Sequence, residues 1–269
     1  MKLHWTALAA LALVVSCSSL PVPGPDAGQG SHAGASEAIR RSARAHGNPW
    51  AKYRSVEVSY DGEWSTIATK VQPVITDPGF RKSSVEVYQP RLGRVRQIHT
   101  GPLGNKEVLR QRPKSEVKFN GVRSTDREVS DAAALVADAY TVFLFGSSWL
   151  AEHGKNLRLL DARLLAGERC QLVAGRIAPG LGNSPDDHFI AWIGENSGLL
   201  KRFQVTLNGM DSTRGADVDV VFSEHWKAAD GSVWPARFIE RIQRPISVPA
   251  HDWRMTSLRL DGRLAGPGR

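Results

Sequence analysis

Asp186-Asp187-His188 and Glu224-His225 each set a carboxylate beside an imidazole. Such a pair can orient a general base or share a metal ion. Both lie in stretches that alternate apolar and polar residues, and neighbours on a β-strand point to opposite faces. Neither pair converges without a bulge, so each reads as a solvated charged face. The serines give no stronger signal. Gly146-Ser147-Ser148 sits within a helical stretch, and Gly194-Glu195-Asn196-Ser197-Gly198 has its Ser one place off the Gly-x-Ser-x-Gly spacing of a nucleophile elbow. The chain has no His-x-x-x-His, no phosphate-binding glycine loop and no Cys pair. Gly101-Pro102-Leu103-Gly104 reads as a turn, and His46-Gly47-Asn48-Pro49-Trp50 as a helix stop with a packed Trp. No catalytic residue, metal ligand or cofactor is expected, although an acid pair assembled in space would leave no linear mark.

One cysteine does carry chemistry. Lys2 gives a short positive start, and Ala7 to Val15 is a continuous apolar run too short to span a bilayer. It ends in Val14-Val15-Ser16-Cys17, which resembles the bacterial lipobox, where the Cys is acylated and becomes the new N-terminus. Residues 1–16 therefore read as a lipoprotein signal peptide and Cys17 as the lipidation site. Three acyl chains exceed the two-signal threshold for stable anchoring. Ser18, where an inner-membrane retention signal would have Asp, points to the outer membrane, facing the periplasm. Without residues 1–16 the charge falls from +8 to +7, with 34 Lys and Arg against 27 Asp and Glu. An exported chain rarely meets nucleic acid, so anionic lipid or lipopolysaccharide is the expected counterpart. Cys170 is then the sole remaining thiol and can form no internal disulfide; in Arg169-Cys170-Gln171-Leu172-Val173 it reads as a buried strand residue.

The elements that would position any site follow from patterning. Residues 17–36 are rich in Pro, Gly, Ser and Ala and read as a flexible tether; residues 37–269 read as one domain, opening with a short helix from Glu37 to His46. Tyr53 to Tyr60 alternates, Asp61-Gly62 is a turn signal, and Trp64 to Ile75 reads as the returning hairpin strand. Further alternating segments run to Asn120-Gly121 and again from Leu157 to Leu260. Between them, about 130–153, stands the one strongly helical interior stretch. Ser130 and Asp131 offer N-cap oxygens, and Leu135, Ala139, Val142, Phe143 and Leu150 share a face. The fold class is mainly β with an inserted helix (α+β): a single open antiparallel barrel or curved sheet, with the mid-chain helix as plug or lid.

The second half has a recognisable order. Phe189-Ile190-Ala191-Trp192-Ile193 leads into Glu195-Asn196-Ser197-Gly198-Leu199-Leu200; Val218 to Phe222 and Asp230-Gly231-Ser232-Val233-Trp234-Pro235 follow. This resembles the family of bacterial lipoprotein carriers and outer-membrane lipoprotein receptors, the LolA/LolB-like lipid-binding superfamily. The resemblance implies an incompletely closed barrel, a hydrophobic cavity under a helix, and carriage rather than catalysis. On it, Leu135, Ala139, Val142, Phe143 and Phe145 would form the lid, and Trp64, Trp192, Phe203, Val205, Phe222 and Trp234 the cavity walls; each also fits plain core packing. Leu92 and Leu181, in turn sequences, are the candidates for a membrane-contacting loop tip. The expected ligand is an acyl chain, a lipoprotein's lipid moiety or an envelope lipid. An accessory lipoprotein that binds a protein partner, or an exported hydrolase, are the alternatives. If Cys17 is acylated, Cys17→Ser should abolish palmitate labelling and move the protein from the membrane to the soluble fraction; labelling that persists in this variant would refute the assignment.

Overall fold

The computed structural model describes residue 20, residues 29–243 and residues 247–266. Cys17, the segment read as a signal peptide and most of the segment read as a tether lie outside the described residues. Two findings bear on the rest of that segment. Helix α1 (Gln29–Ala45) begins inside it, and Leu20 is buried against the outer face of the sheet. A short α2 (Pro49–Lys52) follows, with Pro49 at its first position, where a missing N–H costs nothing.

The first half of the chain then lays down β1 (Val56–Trp64), two short helices α3 (Thr66–Val71) and α4 (Pro73–Thr76), and β2 (Ser83–Gln89), β3 (Arg94–Gly101), β4 (Gly104–Gln111), β5 (Lys114–Phe119) and β6 (Val122–Arg123). Helix α5 (Arg127–His153) comes next. The second half is β7 (Gly154–Leu165), β8 (Glu168–Ile177), β9 (Asp187–Gly194), β10 (Leu200–Thr206), β11 (Asp217–Lys227), β12 (Val233–Ile242), β13 (Val248–Leu260) and β14 (Arg263–Leu264). All pairings are antiparallel. The sheet order is β6-β5-β4-β3-β2-β1-β13-β12-β11-β10-β9-β8-β7, with β14 beside β13. The meander closes on itself through β1 and β13, Val56 facing Leu260 and Trp64 facing His251. It stays open between β6 and β7, the two strands that α5 joins.

The expected hairpin at Asp61-Gly62 does not form. Strand β1 runs straight through it to Trp64, and Gly62 is there because the Trp253 ring lies on it: a Cβ would come within 1.7 Å of Cε3. Beyond Trp64, which ends β1, most of the segment to Ile75 that reads as a strand is helical instead. Ser65 caps α3 by accepting from the Ala68 N–H, and Pro73 opens α4.

Helix α5 is long and apolar enough to cross a membrane by length and composition, yet it is packed inside the sheet. Every residue from Ala132 to Leu150 is buried. Its N-cap is Asp126 rather than Ser130 or Asp131, accepting from the Glu128 and Val129 amides. It breaks at Gly146 (φ 49, ψ −126), a conformation open chiefly to glycine. The next two residues dock the N-terminal helices: Ser147 donates to Ser42 at 2.7 Å, and Ser148 accepts from the Trp50 amide at 3.0 Å. Those serines are packing contacts, as the helical setting implies.

One charge interrupts the buried helix surface. Asp138 meets Arg110 through Oδ1 at 3.2 Å and Oδ2 at 2.8 Å, meets Arg112 at 2.8 Å, and accepts from the Gly182 N–H at 2.9 Å. It therefore ties α5 to β4 and to the β8–β9 connection. Removing one partner of such a buried pair leaves the other charge uncompensated. Asp138→Ala should destabilise the protein by about 3–5 kcal/mol in urea unfolding; a loss under 1 kcal/mol would show that the pair contributes little.

Candidate functional site

Where β1 ends, the chain turns into α3 and α4, and this pair leans over the end of the helix–sheet interior. The space enclosed is a cavity of about 180 Å³. Ala68, Val71, Gln72, Ile75 and Thr76 form one wall, and Leu135, Val136, Ala139, Tyr140 and Phe143 of α5 a second. Trp64, Leu207, Val218, Glu240, Ile242 and Ala250 supply the strand ends. Ser212 and Thr213 of the β10–β11 connection complete the rim. Gln72 Nε2 donates to the Ser212 carbonyl at 2.7 Å on the exposed side, bridging α3–α4 to that connection. Val71 and Ile67 beside it are 63% and 51% exposed, so the mouth carries an apolar lip.

Beneath the Trp64 side lies a buried polar belt. Arg81 Nη2 donates to Tyr140 Oη at 2.8 Å, Tyr140 Oη meets His251 Nδ1 at 3.0 Å, and Arg81 Nη1 donates to the Ile75 carbonyl. The Trp64 and His251 rings stack at 3.8 Å, and the Arg81 guanidinium lies over Trp64 at 4.8 Å. Next to these, Glu86 accepts from Ser84, Tyr88 and Gln97, and Lys106 pairs with Asp77 at 2.6 Å. Burial depresses the pKa of His251 and of His99 well below the imidazole range, and the Arg81 charge adds to this, so both rings are neutral. The belt ties α4, α5, β2, β3 and β13 together with groups that already hold one another.

Of the residues expected to form the site, Trp64, Leu135, Ala139 and Phe143 come together on the cavity. Val142 and Phe145 are buried on other faces of α5; Phe145 packs against Trp50, Tyr88 and Trp234. Phe203, Val205, Phe222 and Trp234 fill the inner face of the sheet without lining this cavity. Trp192 is on the opposite face, in a cluster with Cys170, Leu172 and Ile190, because it alternates with Ala191 and Ile193 in the main core. Leu92 is 55% exposed, in the β2–β3 turn at the far end of the strands from the cavity. Leu181 is fully buried and so is no exposed tip: Asp187 accepts from its N–H at 2.8 Å and fixes the loop inward. Of the acid–imidazole pairs, Asp187 turns into that loop, and Glu224, where the β11–β12 register slips at a bulge, pairs with Arg237 and Arg254. Among the described residues no group of three His, Cys, Asp or Glu is placed to hold a metal.

Sequence reasoning missed Gln72, Arg81, Tyr140, Glu240 and His251. A signal for Glu240 was present: in Phe238-Ile239-Glu240-Arg241-Ile242 it shares the parity of Phe238 and Ile242, which sets a carboxyl on the apolar face.

No family model and no curated protein matches the chain. Solved structures do. A LolA superfamily protein from Nitrosomonas europaea is 11% identical, with a TM-score of 0.49 over 84% of this chain and 93% of that one. That is the superfamily the motifs of residues 188–237 resemble. The lipoprotein LppX from Mycobacterium tuberculosis is 13% identical (TM-score 0.31; 89% and 99% covered). A putative outer membrane lipoprotein-sorting protein domain from Vibrio parahaemolyticus is 7% identical (TM-score 0.41; 84% and 93% covered).

Burial pushes the Glu240 carboxyl up to about 7, the Arg81 charge opposing only in part. The folded protein therefore holds this proton more tightly than the unfolded chain, whose glutamates titrate near 4.5. By linkage, Glu240 costs stability progressively as pH rises from about 4.5 to 7 and above, on the order of 3 kcal/mol when fully ionised. Glu240→Gln should therefore gain more stability over the parent at pH 8 than at pH 5 in urea unfolding. Equal effects at both pH values would mean that the carboxyl ionises normally.

Proposed function

We propose that this chain is a lipid-anchored protein of the bacterial cell envelope that binds a hydrophobic ligand between its inserted helix and the end of its sheet, in the transport or localisation of envelope components. The observation that carries this reading is the apolar cavity beside Ala139 and Phe143, roofed by α3–α4, with the exposed Gln72–Ser212 hydrogen bond across its rim. At about 180 Å³ it exceeds an engineered cavity of about 150 Å³ that takes up benzene, but falls below the roughly 300–1,000 Å³ of most ligand pockets. As it stands it holds a short apolar body or the end of a chain; a longer chain needs α3–α4 to swing outward. Cys17, in its lipobox-like setting, supports the anchor, and Ser18 the outer membrane.

Carriage is favoured over catalysis because the lining is mostly apolar and its phenol, Tyr140, is held between Arg81 and His251. A second reading rests on a different observation. Most of the inner face is filled by Phe203, Phe222, Trp234 and Phe238, which suits an accessory lipoprotein that holds a protein partner on its exterior.

The deciding experiment uses the Cys17→Ser form, exported and purified without detergent. Mass spectrometry of its organic extract should find a near-stoichiometric apolar molecule. Ala139→Trp, which fills the cavity, should lose that molecule while keeping its circular dichroism and Tm. No bound molecule, and no uptake of any apolar compound by the folded protein, would overturn carriage and favour the partner reading.

A further inference from the structure

Within the apolar lining one group stands out chemically. The Glu240 side chain is 9% exposed, and it lines the cavity. Among the described residues its carboxyl makes no hydrogen bond; the nearest polar partner, His251 Nδ1, lies 4.0 Å away and already meets Tyr140 Oη. The groups that face it are Arg81, Tyr140 and His251, while β11 offers only the side chains of Val218 and Val220. Buried polar atoms without a partner gather nearby: Arg81 Nε, His251 Nε2 and Trp64 Nε1. A carboxyl that opens only on an apolar cavity has nothing of the protein to bond to, and a purely hydrocarbon occupant would leave it unpaired and dry, which is costly.

The cation that acts on Glu240, Arg81, is kept from the cavity. Arg81 lies over the Trp64 and Tyr140 rings, at 4.8 and 5.4 Å, and those rings, not the guanidinium, form the lining. An anionic head would thus meet a carboxyl and no exposed positive charge.

Building on the carrier reading, we infer that Glu240 is the specificity group of this cavity: it accepts a hydrogen bond from a ligand whose apolar body ends in a hydroxyl or an amine, and it turns away one that ends in a carboxylate or phosphate.

The test is isothermal titration at pH 8 with small probes matched to the cavity: 1-hexanol, hexylamine, hexanoate, and 1-methoxypentane, the isomer of hexanol that has no donor. Hexanol or hexylamine should bind at least tenfold more tightly than the ether and than hexanoate, and whichever of the two is tighter names the donor. In Glu240→Leu the ether should match hexanol; Glu240→Gln, close to the native shape, should narrow the penalty on hexanoate. Equal binding of hexanol and the ether by the unaltered protein, or a preference that survives in Glu240→Leu, would overturn the inference while leaving carriage standing. Failure of every probe to bind would remove both.

Discussion

The chain has to pass from one free edge of its sheet to the other through an interior without water. Any backbone that makes this crossing must satisfy its own peptide groups, and a helix does so. Helix α5 is that crossing: 27 residues, or about 40 Å at 1.5 Å per residue, from the end of β6 to the start of β7. The rest of the architecture answers to it. The sheet curves around its apolar sides, Asp138 fixes its rotation against Arg110 and Arg112, and α1 and α2 close over its C-terminal half through Ser42 and Trp50. The break at Gly146 lets the last turns follow the sheet instead of running out of it.

Much of this was legible in the residues. Alternation marked the stretch from Leu157 to Leu260 that holds most of β7 and all of β8 to β13, and the shared face of Leu135, Ala139, Val142 and Phe143 identified the long interior helix. The segment after β1 was misread for a traceable reason. Its Thr, Val and Ile content suits a strand, but Ile67, Val71 and Ile75 recur every four residues, Ser65 precedes them as a cap, and Pro73 opens a second turn. Spacing outweighed composition. The site was less legible. Trp64, Leu135, Ala139 and Phe143 were found because large or helix-face apolar residues are conspicuous. The other expected walls are ordinary core, since pattern tells which face is apolar but not where packing leaves space. The Arg81–Tyr140–His251 belt is assembled from three distant elements, and no local spacing records it.

The interior is thus of two kinds. Around Phe145, Phe203 and Trp234 it is filled and aromatic; toward the α3–α4 end it holds buried charge and open volume side by side. Close packing and complete polar satisfaction characterise most protein interiors, and both lapse in the same place here. That coincidence, more than the size of the cavity, sets this end of the molecule apart from its filled middle. The roof there is two short helices, bridged to the β10–β11 connection by the exposed Gln72–Ser212 hydrogen bond, while α1 and α2 pack over the C-terminal half of α5.

The seam between β1 and β13 joins the first strand of the chain to the last long one, Val56 lying against Leu260. A polypeptide that emerges N-terminus first cannot zip this seam until Leu260 is out. Until then it is two half-sheets linked by α5, and β1 and β12 each present a raw edge of unpaired N–H and C=O groups, the template on which strands of other chains add. Pairings so distant in sequence are slow to form. Assembly is therefore least protected not at the surface or the cavity but along the middle of the finished sheet, the line that shows no gap once the protein is complete.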